Sequence, residues 1–124
     1  MKVTYIAHSG FLLEWENCVW LFDYYRGEIP EISREKKILI FASHSHGDHF
    51  NPDIFEKFSG YPRVEYVFAS EIRHKVKKLA LTEEQLSRIT FLKPHQSWNT
   101  QDGTGKEIEL RTYRSTDLGV AFLA

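Results

Sequence analysis

Three features of the 124-residue sequence predict a mixed α/β fold. Short runs rich in β-branched and aromatic residues open the chain. An apolar run without alternation, Ile38 to Ala42, then follows a polar segment, as in a strand covered on both faces. Between later strand-like runs, apolar residues recur at helical spacing.

In chain order, Val3 to Ala7, Phe11 to Trp15 and Cys18 to Phe22 read as strands separated by His8-Ser9-Gly10 and by Glu16-Asn17. That spacing suits an antiparallel meander with tight turns. Beyond the polar segment Arg26 to Lys37, the run Ile38 to Ala42 predicts a strand central to its sheet. Asn51-Pro52-Asp53 starts a short helix carrying Ile54, Phe55 and Phe58, and Val64 to Ala69 is the next strand. Ser70 is a good N-cap for a helix that places Ile72, Val76 and Leu79 on one side and runs to Leu81. Thr82 with Gln85 forms a capping-box pattern for one more short helix. Ile89 to Leu92, Ile108 to Tyr113 and Gly119 to Leu123 are later strands, and Lys93 to Lys106 is a loop with a turn at Asp102-Gly103 and Gly105.

The length is that of one domain, and 42% hydrophobic residues suffice for a core of ordinary size. The apolar run Val120 to Leu123 needs a strand neighbour. It inserts between earlier strands, pairs with a second chain, or belongs to a longer protein.

Charge excludes some functions. Sixteen basic residues nearly cancel seventeen acidic ones, which leaves no field to draw in nucleic acid or an anionic membrane. The basic cluster Arg73, His74, Lys75, Lys77 and Lys78 reads as the solvated face of a helix. Cys18 stands alone inside the apolar run Cys18 to Phe22, so it is read as a buried thiol in a reducing compartment. The start of the chain lacks a signal-peptide pattern, no run has transmembrane length, and the expected location is the cytoplasm.

Residues 44 to 49, His-Ser-His-Gly-Asp-His, carry the chemistry. His44 and His46 lie two apart at the end of a buried strand, so both rings can point the same way. Gly47 permits a sharp turn that brings Asp48 and His49 to face them. Imidazole and carboxylate together suit zinc, with manganese, iron or nickel as alternatives, and one ion can use all four donors or two ions can divide them. A polar loop whose histidines only cap the following helix is the competing reading, and four donors within six positions favour metal.

This stretch resembles the His-x-His-x-Asp-His motif of the metallo-β-lactamase superfamily of metal-dependent hydrolases. The stretch His8-Ser9-Gly10-Phe11, the strand end Leu21-Phe22-Asp23 and the order of elements are similar to the N-terminal half of a compact cytoplasmic branch of that superfamily. The resemblance implies an αββα sandwich of which residues 1–124 form about one half, a single incomplete domain with a mixed sheet and helices on one face. It further implies that His44 and His46 hold a first metal and that Asp48 and His49 hold a second. The resemblance implies too that Asp48 orients a metal-activated hydroxide that attacks an ester, lactone or phosphodiester-type bond in a small-molecule substrate.

Asp23 resembles the family aspartate that steadies the metal loop through hydrogen bonds, the alternative being a turn-initiating residue. His8 either lines the pocket or makes a structural hydrogen bond. Asp117 stands near where the superfamily often has another histidine ligand, and it either ligates in its place or makes a turn. His95 is read as a solvent-facing loop residue. The downstream aspartate and histidine of the full motif set are absent from this sequence, so the chain alone is expected to be inactive and to form a homo-oligomer or require a C-terminal half. The alternative function is a non-catalytic metal-binding or assembly module.

Overall fold

The computed structural model describes residues 2–6, 10–45, 49–114 and 120–123. Six strands form one mixed sheet: β1 (Lys2–Tyr5), β2 (Phe11–Glu14), β3 (Cys18–Phe22), β4 (Lys37–Ala42), β5 (Val64–Ala69) and β6 (Ile89–Leu92), in that spatial order. β1, β2 and β3 pair antiparallel as the expected meander, and β3 to β6 pair parallel. The unalternating run at Ile38 to Ala42 is explained by its place: β4 lies between β3 and β5, and all five of those residues are buried.

Because side chains alternate across a strand, β4 sends Ile38, Ile40 and Ala42 to one core and Leu39 and Phe41 to the other. The first core is covered by helices. α1 (Ile54–Lys57) contributes Ile54 and Phe55, and the segment of a 3₁₀ turn (Ser70–Ile72) and α2 (Arg73–Val76) contributes Ile72 and Val76. The second core is covered by a smaller antiparallel sheet of β7 (Ser97–Gln101), β8 (Glu107–Arg114) and β9 (Val120–Leu123), through Trp98, Ile108 and Leu110. Phe41 and Phe68 are fully buried on opposite faces. Each such side chain contributes about 1.5–3 kcal/mol by leaving water.

Four sequence readings need correction. Ser70 does not cap a helix; it is the first residue of the 3₁₀ turn, whose N-cap position is Ala69. The helix after it ends at Val76 and not Leu81, because the chain turns to enter α3 (Glu83–Ser87). There the predicted capping box is complete: the Gln85 amide donates to Thr82 Oγ1 at 3.1 Å and the Thr82 amide to Gln85 Oε1 at 2.9 Å. The loop from Lys93 to Lys106 contains strand β7, which pairs with β8 from Ser97↔Arg111 to Gln101↔Glu107. The final apolar run does not insert between the earlier strands: β9 lies at one edge of the smaller sheet and pairs with β8 from Arg111↔Leu123 to Arg114↔Val120.

The predicted turn joins β7 to β8, with Asp102 accepting from the Thr104 amide (2.8 Å), the Thr104 hydroxyl (2.6 Å) and the Lys106 amide (3.0 Å). These bonds hold the Asp102 carboxyl below its ordinary pKa. Gly103 is required by contact, because a Cβ there would lie 2.0 Å from the Asn17 carbonyl oxygen.

Burial pushes the Cys18 thiol pKa up, and Trp20 Nε1 donates to its sulfur at 3.1 Å, as for a packing residue. Burial likewise pushes Tyr66 up to about 12. Among the described residues no helix is long and apolar enough to cross a membrane.

Candidate functional site

The parallel strands bring their carboxyl ends to one edge of the large sheet, the usual place for a ligand site in such an arrangement. Asp23 follows β3, Ser43 and His44 follow β4, and Glu71 follows β5. Asp23 has φ 47°, a left-handed conformation that aspartate tolerates better than most side chains. In that conformation its amide donates to the Phe41 carbonyl at 2.8 Å, and its carboxylate reaches the end of the neighbouring strand.

That carboxylate lies beside the two described imidazoles of the motif, His44 and His49. Oδ1 accepts the Ser43 amide at 2.7 Å, and Oδ2 accepts the Ser43 hydroxyl at 2.8 Å. His49 Nδ1 lies 3.3 Å from Oδ2. His44 Nδ1 lies 2.7 Å from Ser43 Oγ. A carboxylate only accepts, so the hydroxyl gives its single proton to Asp23 and its oxygen receives the proton of His44 Nδ1–H. Both rings are thereby turned with Nδ1 toward Asp23, and their centroids are 4.6 Å apart.

The loop is also held from outside this network. The Ser45 amide donates to Glu71 Oε1 at 2.8 Å, and the Ser45 carbonyl accepts from Lys75 Nζ. Just beyond His49, the Asn51 side-chain amide donates to the Tyr25 carbonyl at 2.7 Å while its oxygen accepts the Asp53 amide at 2.9 Å. The entry to α1 is thus tied to the loop that follows Asp23.

Of the residues singled out from sequence, His44, His49 and Asp23 come together here, while His8, His46, Asp48 and Asp117 lie outside the described residues. Among the described residues no three ligand-type side chains converge as a metal cluster. His95 is exposed in a turn, with its amide donating to the Thr112 carbonyl at 2.8 Å. A cleft of about 490 Å³ lies elsewhere, lined by Phe55, Phe58, Tyr61, Tyr66 and Arg88.

Sequence reasoning missed Ser43, Glu71 and Lys75. Ser43 had a readable signal, as the first polar residue after an apolar strand and directly before the histidines. Glu71 and Lys75 had none, because only the pairing of β4 with β5 brings them to Ser45.

Comparison with known proteins agrees with this architecture. A UPF0173 metal-dependent hydrolase of Opitutus terrae is 45% identical over 53 residues, a segment that spans 40% of this chain and only 23% of that relative's length. The model of the β-lactamase superfamily domain matches residues 2–118, nearly the whole chain, which therefore belongs to that family.

Proposed function

We propose that this chain carries the metal loop of a metal-dependent hydrolase acting on an ester, lactone or phosphodiester-type bond of a small-molecule substrate. The observation that carries the reading is the single carboxylate, Asp23, beside both rings: it is bonded to Ser43, which holds His44 Nδ1, and its Oδ2 lies 3.3 Å from His49 Nδ1. Metal-ligating histidines commonly have their other ring nitrogen fixed in this manner. The donors fit a divalent ion of the zinc type, with manganese, iron and nickel as alternatives.

In this reading His44 and His46 would hold one ion, and Asp48 and His49 would hold a second. A bound divalent ion lowers the pKa of a water to near 7 and polarises the bond to be broken. Ser43, itself donating to Asp23, holds the His44 imidazole in the tautomer that keeps its proton on Nδ1, and the Asp23 carboxylate lies 3.3 Å from His49 Nδ1. Asp48 orients the attacking water. His8 and Asp117 are assigned to the pocket wall. A cytoplasmic setting fits the buried thiol of Cys18, and the balanced charge gives nucleic acid no basic surface. Self-association is part of the same reading, because Val3, Tyr5 and Phe11 leave 56%, 61% and 44% of their surfaces exposed beside one another.

The test is metal analysis and sedimentation equilibrium on the purified chain, with assays on a lactone, a carboxylic ester and bis(4-nitrophenyl) phosphate. One or two ions per chain, lost with at least about 100-fold weaker affinity in His44→Ala, is the expected result. Metal uptake without turnover is the result expected of an incomplete domain, and turnover that His46→Ala abolishes would show that this chain suffices on its own. A chain that takes up no divalent ion overturns the metal reading, and a 14.6 kDa monomer overturns self-association.

A further inference from the structure

The parallel ladder pairs each residue of β4 with one of β5, from Ile38↔Val64 to Ala42↔Phe68. Beyond these pairs β5 stops being a strand, because the chain turns into the 3₁₀ segment at Ser70. The backbone after β4 therefore loses its ladder partner just where the histidines begin. Ser45 and Glu71 are 26 positions apart, the same separation as Ala42 and Phe68, so Glu71 occupies the place a ladder partner would have held.

Its side chain supplies what the missing strand does not. Glu71 Oε1 accepts the Ser45 amide at 2.8 Å, and Lys75, one helical turn further on, donates its ammonium to the Ser45 carbonyl. Both polar groups of one residue are thus gripped by two side chains four positions apart. Bonds between backbone and charged groups are about twice as strong as neutral ones.

We propose that Glu71 and Lys75 are positioning residues that lock the peptide following His44, and so set the geometry in which the motif meets its ion. The inference rests on the metal reading above. Both residues act on the backbone of Ser45 and are proposed as no ligand themselves. Lys75 belongs to the basic cluster that the sequence assigns to a solvated helix face, and it is the half-buried member among exposed neighbours Arg73, His74, Lys77 and Lys78.

The experiment is a Co²⁺ titration of the full 124-residue chain, followed by visible absorption, for wild type, Glu71→Ala, Lys75→Met and Lys75→Arg. Exchange of the Ser45 amide is measured on the same metal-free samples. Glu71→Ala and Lys75→Met are expected to weaken Co²⁺ binding by about 10-fold or more and to alter the d–d spectrum, as loss of orienting partners commonly does. Lys75→Arg is expected to restore both. Glu71→Ala is also expected to lose the protection of the Ser45 amide.

Variants that bind within about twofold of wild type with an unchanged spectrum overturn the proposal. If wild type binds no Co²⁺, the metal reading falls by itself. Amide exchange then still decides the clamp, because equal Ser45 exchange in wild type and Glu71→Ala overturns it. Should Glu71→Ala fail to fold, as judged by circular dichroism, Lys75→Met and its rescue by arginine carry the same decision.

Discussion

Strand β4 begins at Lys37 and runs out into Ser43 and His44, and the polar clusters at its two ends are built differently. At the amino end the Lys37 ammonium donates to Thr100 Oγ1 at 3.0 Å and lies 3.7 Å from Glu65 Oε2, while the Thr100 hydroxyl donates to the same oxygen at 3.0 Å. One cation, one anion and one hydroxyl satisfy one another across the two sheets. At the carboxyl end a single carboxylate gathers the Ser43 amide and hydroxyl and lies against His49, and the chain of bonds continues to His44. The first cluster cancels its charge internally and so serves packing. The second gathers polar side chains onto one carboxylate at the carboxyl ends of parallel strands, where ligand sites of such sheets usually lie.

Three changes test that contrast, beginning with the largest expected effect. Asp23→Asn keeps a residue that tolerates positive φ but replaces one acceptor oxygen with a donor. Metal affinity measured by calorimetry is expected to fall about 10–100-fold. An unchanged affinity would show that the carboxyl end is as self-contained as the amino end.

Lys37→Met leaves Glu65 without its cation and Thr100 with one partner fewer. Urea unfolding is expected to show a loss of about 1.5–3 kcal/mol. Co²⁺ affinity should stay within twofold, and a parallel drop in both would mean that the two ends are energetically coupled.

Tyr66 provides the finest test, since it lies in the strand beside β4 and its pKa is pushed up to about 12 by burial. The folded state holds its proton more tightly than the unfolded chain does. Its contribution is therefore complete below about pH 10 and is lost as pH rises through about 12. Unfolding curves between those values should slope downward less in Tyr66→Phe than in wild type. Equal slopes would mean that the ring is not buried as described.

The sheet was legible because its strands carry their environment in their composition. Cys18–Phe22, Val64–Ala69 and Ile89–Leu92 are bounded as the sequence suggests. β7 was not legible: in Ser97–Gln101 only Trp98 and Thr100 turn toward the core, and polar residues surround them. Its strand character comes from pairing with β8, a tertiary cause that local propensity does not record. At the site, the histidine spacing singled out the strand end where His44 and His49 meet, and Asp23 was readable as a strand-ending carboxylate. The grip on Ser45 was not, because it depends on which strand lies beside which.

The distance along the chain between Asp23 and Ser43 governs when this site comes into being. β1, β2 and β3 are joined by short turns and zip together as local hairpins, on a scale of microseconds each. β4 reaches β3 only after the long segment between Phe22 and Lys37 has closed, and such non-local parallel pairing is the slow kind of step in folding. Asp23 ends the early unit and Ser43 ends the late one, so the bonds between them form only when the crossover is complete. Before that moment His44 and His49 are carried on a chain that has not yet met the Asp23 carboxylate. Their alignment is therefore a late product of folding that reports a finished topology.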